Sequence, residues 1–206
     1  WSRFARAGGR AINTGRSPGF QFYRPVLRKD APNYEAKNIR VFANTFEGSD
    51  APVAFVGAVD SIAANNTIID PTRWVLRILQ ETNSRDGYEF LPSGRNEFSN
   101  NLIYYNRAAI SMHVNVGGNT DPDSFKFENN LWYAHDAPGR SAPSLPVKEA
   151  NSIVGQDPKF RDVVARDFKL SATSPAVGKG KKIAALKADQ AERCYKNPPA
   201  IGAFEK

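Results

Sequence analysis

Asn100-Asn101-Leu102-Ile103 reads as a corner that opens into a strand, and the chain repeats it at Ala43-Asn44-Thr45-Phe46, Asn65-Asn66-Thr67-Ile68 and Asn129-Asn130-Leu131-Trp132. Each copy sets an asparagine before a β-prone residue and then a large apolar one. From Asn44 to Asn66, Asn101 and Asn130 the steps are 22, 35 and 29 residues. The asparagine therefore keeps the repeat while loops of different length enter between copies, as in stacked short strands. A short amide tolerates the left-handed backbone of a tight corner, and it carries donors and an acceptor. Stacked amides can donate from one to the next, satisfying polar groups that would be costly to bury.

Downstream of the corners the pattern alternates with the period of a strand. Val53 and Phe55 within 52–57, Leu76 and Ile78 within 73–81, and Ile110, Met112, Val114 and Val116 are expected to point inward. Ala54, Arg77, Ser111, His113 and Asn115 are expected to point outward. The expectation is an all-β chain, a right-handed parallel β-helix with an irregular C-terminal cap. Residues 1–136 form the coils in this reading, with the first coil open to upstream coils or to a partner chain stacked on it. Residues 137–206 form the last coil and the cap. Phe20-Gln21-Phe22-Tyr23 reads as a strand, 183–195 as a short helix, and 83–95 as a long insertion of the kind that builds walls over a sheet face.

Composition narrows the rest. The 206 residues suffice for one domain with a real core. No apolar run approaches the roughly 20 residues of a membrane span, and neither end reads as a signal peptide. The lone Cys194 excludes an internal disulfide and a cysteine-rich metal site. The 28 Lys and Arg against 21 Asp and Glu give a net charge of +7, which favours anionic partners. Nucleic acid is a poor fit, because no zinc-finger, helix-turn-helix or RRM signature is present.

Several segments carry a resemblance. The asparagine steps, Asn130-Leu131-Trp132-Tyr133, Asp157-Pro158-Lys159-Phe160, Asp167-Phe168-Lys169-Leu170, Ser174-Pro175-Ala176 with Gly178, and Ile201-Gly202-Ala203 resemble the C-terminal part of right-handed parallel β-helix proteins of the pectate-lyase-like superfamily. The resemblance implies a prism of three parallel sheets, export to an extracellular or periplasmic compartment, and action on polysaccharides. It also implies a site on an outward sheet face bounded by loops. Lyases of that group abstract a proton beside a uronate carboxylate, with Ca²⁺ or basic side chains neutralising the acid. No calcium-binding acidic motif is found in this sequence, nor the clustered aspartates that hydrolases of that fold use.

The chemistry ranks the residues. Elimination next to a carboxylate builds negative charge, so it needs a cation at the acid and a base on one face. Arg77, outward beside the 83–95 insertion, is the expected cation, with Arg73 and Arg107 assisting. His113 is the expected base, with Glu81 and Tyr105 as alternates and Asn115 beside it as a binding residue. Trp74, Trp132, Tyr133 and Phe125 read as packing residues. Asn65-Asn66-Thr67 fits a glycosylation acceptor, but a ladder role at the neighbouring Asn66 explains it better. Two functions follow: a protein acting on acidic polysaccharide, with β-elimination as its chemistry, or a non-catalytic module that binds glycan or stacks on a partner through its N-terminal coil.

Overall fold

A computed structural model describes residues 1–206. The chain is all-β; its helical elements are four 3-10 turns of three residues each. Three parallel sheets carry the body. The first holds Arg3–Ala5, Thr45–Glu47, Thr67–Ile69, Leu102–Tyr105, Leu131–Ala134 and Ile153–Val154 in that spatial order. The second orders Arg10–Asn13, Ala51–Val56, Leu76–Leu79 and Val114–Val116; the third orders Arg40–Phe42, Ile62–Ala64, Glu97–Ser99 and Lys126–Glu128. Between residues 40 and 116 the chain visits third, first and second sheet in the same rotation each time.

Register explains the alternation. Phe46, Ile68, Ile103 and Trp132 are level neighbours in the first sheet, Val41, Ala63, Phe98 and Phe127 in the third, and Val53 and Leu76 in the second. All of these belong to one buried cluster. Each large apolar side chain so enclosed contributes about 1.5–3 kcal/mol relative to exposure.

The four repeated asparagines form one column. Asn44 Nδ2 donates to Asn66 Oδ1 at 3.1 Å, Asn66 to Asn101 at 2.9 Å, and Asn101 to Asn130 at 3.1 Å. Each acceptor oxygen also takes the preceding asparagine's backbone N–H, and the second amide hydrogens of Asn66, Asn101 and Asn130 reach the carbonyls of Val41, Ala63 and Phe98. The column closes on Glu149, whose Oε1 accepts from Asn130 Nδ2 at 2.6 Å, while its Oε2 accepts from Trp132 Nε1 at 2.8 Å. The left-handed backbone falls one residue earlier than the sequence reading put it. Ala43, Asn65, Asn100 and Asn129 take φ of 51° to 54°, so the tandem asparagines divide the work: the first turns the chain and the second bonds along the column.

Other local expectations are corrected. Phe20–Phe22 is a 3-10 turn rather than a strand, and 183–195 forms turns and an Ala188–Cys194 bridge rather than a helix. The segment after Asp136 splits into two parts. Leu145 and Val147 pack against the main cluster, beside the Glu149 that ends the column.

Residues from 160 onward do something else: they run back over the outer face of the first sheet. Leu170, Ala176, Ala200 and Ile201 cluster with Leu102 and Leu131, and Ala203 N donates to Thr67 Oγ1 at 2.9 Å. Gln190 reaches Thr45 and the Ser2 carbonyl, and Arg166 pairs with Glu47. This part of the expected cap is a strap along the sheet. The physical reason is that Leu102 and Leu131 point away from the main core and need an apolar cover of their own.

Candidate functional site

The second sheet presents the charged face. Arg77 stands level with Ala54 and Asn115, on the side opposite the inward Leu76 and Ile78. Its Nε donates to Asn115 Oδ1 at 2.9 Å. Just ahead of the strand, Trp74 is half-buried between two guanidiniums: Arg73 lies 4.1 Å and Arg77 4.4 Å from its ring centroid. Trp74 is thus a platform for cations rather than a core residue, because its strand begins only at Leu76. Cation–π contacts of this kind are worth about 0.5–2 kcal/mol each.

Arg10 joins the cluster from the first strand of the same sheet. It pairs with Glu81 at 2.8 Å, whereas Arg73 and Arg77 have no carboxylate partner. Burial, then the nearby Arg10 and Arg73, hold the Arg77 guanidinium below its ordinary pKa, with Glu81 opposing. The sequence reading missed Arg10 because 67 residues separate it from Arg77 and only strand pairing brings them together.

Loops leaving this sheet wall the face. After Leu79 the 83–95 insertion folds against 14–34, where Phe20 meets Tyr88 and Phe90 at centroid distances of 5.4 and 5.7 Å and Tyr23 meets Phe90 at 5.5 Å. Asn33 locks the two loops by accepting from Leu91 N and donating to Glu89 O. Glu35 ties the insertion to the sheet: its Oε1 accepts the Thr82 N–H at 2.6 Å while Oε2 is buried without a partner. Burial accordingly raises the Glu35 carboxyl above the usual range.

The expected base lies elsewhere. His113 is only 3% exposed and faces the core, not the arginine face. Its Nε2 is 3.0 Å from Tyr105 Oη, its Nδ1 accepts from Ser144 N at 3.1 Å, and its ring meets Trp132 edge-on. Burial and then Arg107 push its pKa down to about 4. The alternation that would turn it outward fails because a 3-10 turn at Arg107–Ala109 and a bend interrupt the chain before the strand resumes at Val114. For the same reason Met112 is 42% exposed instead of inward, whereas Val116, level with the inward Ile78, is 39% exposed because its strand is the last of the second sheet.

Tyr105 is fully buried, its pKa raised by that burial to about 12, and its hydroxyl donates to Ser141 O. Arg107 directs a guanidinium nitrogen to the Ile110 carbonyl, with its backbone N–H on Asp136. The structure therefore gathers Arg73, Arg77, Glu81 and Asn115 with Arg10, and separates His113 and Tyr105 from them by the sheet. Asn65 is buried with its amide on the Ala200 carbonyl, so the glycosylation pattern there has no accessible acceptor.

No cluster of three or more His, Cys, Asp or Glu side chains is placed to hold a metal ion, so the donors do not fit the calcium that the resemblance implies. No helix is long and apolar enough to cross a membrane. The chain matches no family model and no curated protein, and the reading of the site rests on its own residues.

Proposed function

We propose that this chain is a right-handed parallel β-helix that binds acidic, uronate-containing polysaccharide on the outer face of its second sheet. The fixed rotation among three sheets, the asparagine column and the resemblance support the fold. One observation carries the function: Arg73 and Arg77 stack on Trp74 without a carboxylate to neutralise them, beside a third arginine. A guanidinium fork matches a carboxylate in two hydrogen bonds. Burial is the main cause that lowers the Arg77 pKa, with Arg10 and Arg73 adding to it, and a bound anion would offset both. The loops at 14–34 and 83–95, which leave the same sheet, lengthen the face for a polymer.

The reading is of binding rather than elimination, because His113 and Tyr105 lie inside the body and Glu81, the other expected base, is tied to Arg10 at 2.8 Å. A ligand of this class puts the working compartment outside the cytoplasm. Retention on native gels containing polygalacturonate, with a neutral glucan as control, tests the reading. Arg77→Ala and Arg73→Ala should each weaken retention by about tenfold in apparent affinity, and added salt should weaken it further. Equal retention on the neutral polymer would refute it. Appearance of an ultraviolet-absorbing unsaturated product during incubation would replace binding with elimination.

A further inference from the structure

The two strands that carry Arg77 and Asn115 run on, past the arginine face, into a polar recess. Gln80 directly follows Leu76–Leu79, and Asn119 lies just beyond Val114–Val116, the neighbouring strand. At about 3.3 Å per extended residue, Gln80 stands about 10 Å along the chain from Arg77. Between these two ends and the 83–95 insertion lies a cavity of about 260 Å³.

The back of the cavity is fixed. Gln80 Nε2 donates to the Thr82 carbonyl at 2.7 Å, its Oε1 accepts the Ser93 N–H at 2.8 Å, and Thr82 Oγ1 lies 2.8 Å from Tyr23 Oη. Phe90, packed on Tyr23, and Pro92 give it an apolar side. The rim, in contrast, has hydrogen bonds to spare. Asn119 Nδ2 donates to Asn83 Oδ1 at 3.2 Å, which leaves the Asn83 amide hydrogens and the Asn119 oxygen without a protein partner. Ser84 Oγ accepts from Phe90 N at 2.9 Å and keeps its own proton free.

No charged side chain lines this cavity, although Arg10, Arg73 and Arg77 crowd the face beside it. Donors and acceptors mixed in this way, next to an apolar wall, match the hydroxyls and the C–H face of a sugar ring. A uronate would bring a carboxylate into a recess that holds no cation for it, at a cost in desolvation.

We infer that the recess takes an uncharged sugar unit of the polymer whose uronate sits on the arginine face. The inference rests on the reading of that face as a uronate site. It narrows the ligand from a uronate homopolymer to a polysaccharide in which uronate and neutral sugar are neighbours.

The test uses the 206-residue protein, polygalacturonate, and the same polymer after part of its carboxylates has been reduced to primary alcohols. Reduction sets neutral galactose among the galacturonates without changing a linkage. On affinity gels the protein should bind the partly reduced polymer about tenfold more tightly per uronate. Asn83→Ala removes the donors of the rim, and Asn119→Gly removes its acceptor at a residue whose φ of 57° glycine adopts freely. Either change should cancel the preference, whereas Arg77→Ala should weaken both polymers alike. Equal affinity for the two polymers, or a preference that survives both rim variants, overturns this inference and leaves the arginine face standing. Retention of neither polymer overturns the arginine face and this inference with it.

Discussion

Two corners of the molecule solve the same problem differently. Where the third sheet turns into the first, each tier uses a left-handed residue followed by a buried asparagine, and the amides satisfy one another from Asn44 to Glu149. Where the second sheet turns toward the third, the corner is held by Gly57 at φ 51°, with the Glu35 side chain packed so close that a Cβ there would lie 2.2 Å from its carboxyl carbon. From that side the chain throws out the loops 14–34 and 80–93. The first corner carries no insertion in any of the four tiers. The second is satisfied by what the loops bring, as when Glu35 accepts the Thr82 N–H. A repeating chain can thus keep one edge strict and release the other to carry loops.

The contrast breaks most visibly at Asn101. Asn101→Ala leaves the Asn66 backbone N–H without its acceptor and removes one hydrogen bond each from the Asn66 amide, the Asn130 oxygen and the Ala63 carbonyl. Unfolding by urea should show a loss of about 3–4 kcal/mol. Asn83→Ala in the insertion, whose amide meets only Asn119, should stay within about 0.5 kcal/mol. Similar losses at both sites would erase the distinction.

His113 sharpens it, because a buried imidazole titrates where an amide does not. Its folded pKa of about 4 lies below the unfolded value near 6.5. The unfolded chain therefore binds the proton first, and stability falls as pH drops from about 6.5 to about 4. This contribution amounts to about 3 kcal/mol and should vanish from the pH profile of His113→Gln. A wild-type profile that parallels the variant's would show that the imidazole is not held neutral.

A smaller effect is expected at Glu47, which joins the strap to the sheet. Burial alone would raise its pKa, but the hydrogen-bonded guanidiniums of Arg3 and Arg166 outweigh burial and lower it. A depressed carboxylate stabilises the fold above its unfolded value of about 4.3, and the gain is lost as pH falls through the folded value. Glu47→Gln should cost about 1–2 kcal/mol at neutral pH and progressively less in acid, read as converging unfolding midpoints. A loss of about 0.5–1 kcal/mol is expected for Arg77→Ala, which gives up its Trp74 contact and its Asn115 hydrogen bond. A larger loss there would mean that the arginine face serves packing first.

Legibility followed repetition. The asparagine column and the inward Phe46, Ile68, Ile103 and Trp132 were readable because each tier states them again. Arg77 was readable as outward because its strand alternates without interruption. His113 was not, since the turn at Arg107–Ala109 shifts the phase of the segment after it. The strap was read as an end cap because a chain of turns and short apolar pairs carries no period to say which surface it covers. Only the outward Leu102 and Leu131, opposite in phase to Ile103 and Trp132, hinted at a second apolar surface.

The strap carries one more consequence, for the order in which the molecule can assemble. Trp1 Nε1 donates to the Ala188 carbonyl and Gln190 to the Ser2 carbonyl, contacts that span 187 and 188 positions of the chain. Neighbouring tiers can zip together as they leave the ribosome, since each needs only the one before it. The outer wall of the first sheet must wait until the segment from Leu170 to Ile201 has been made, so a nascent chain exposes Leu102 and Leu131 until then. Synthesis stalled before about residue 200 would yield a body with its shaft complete and one flank still greasy, a natural client for chaperones.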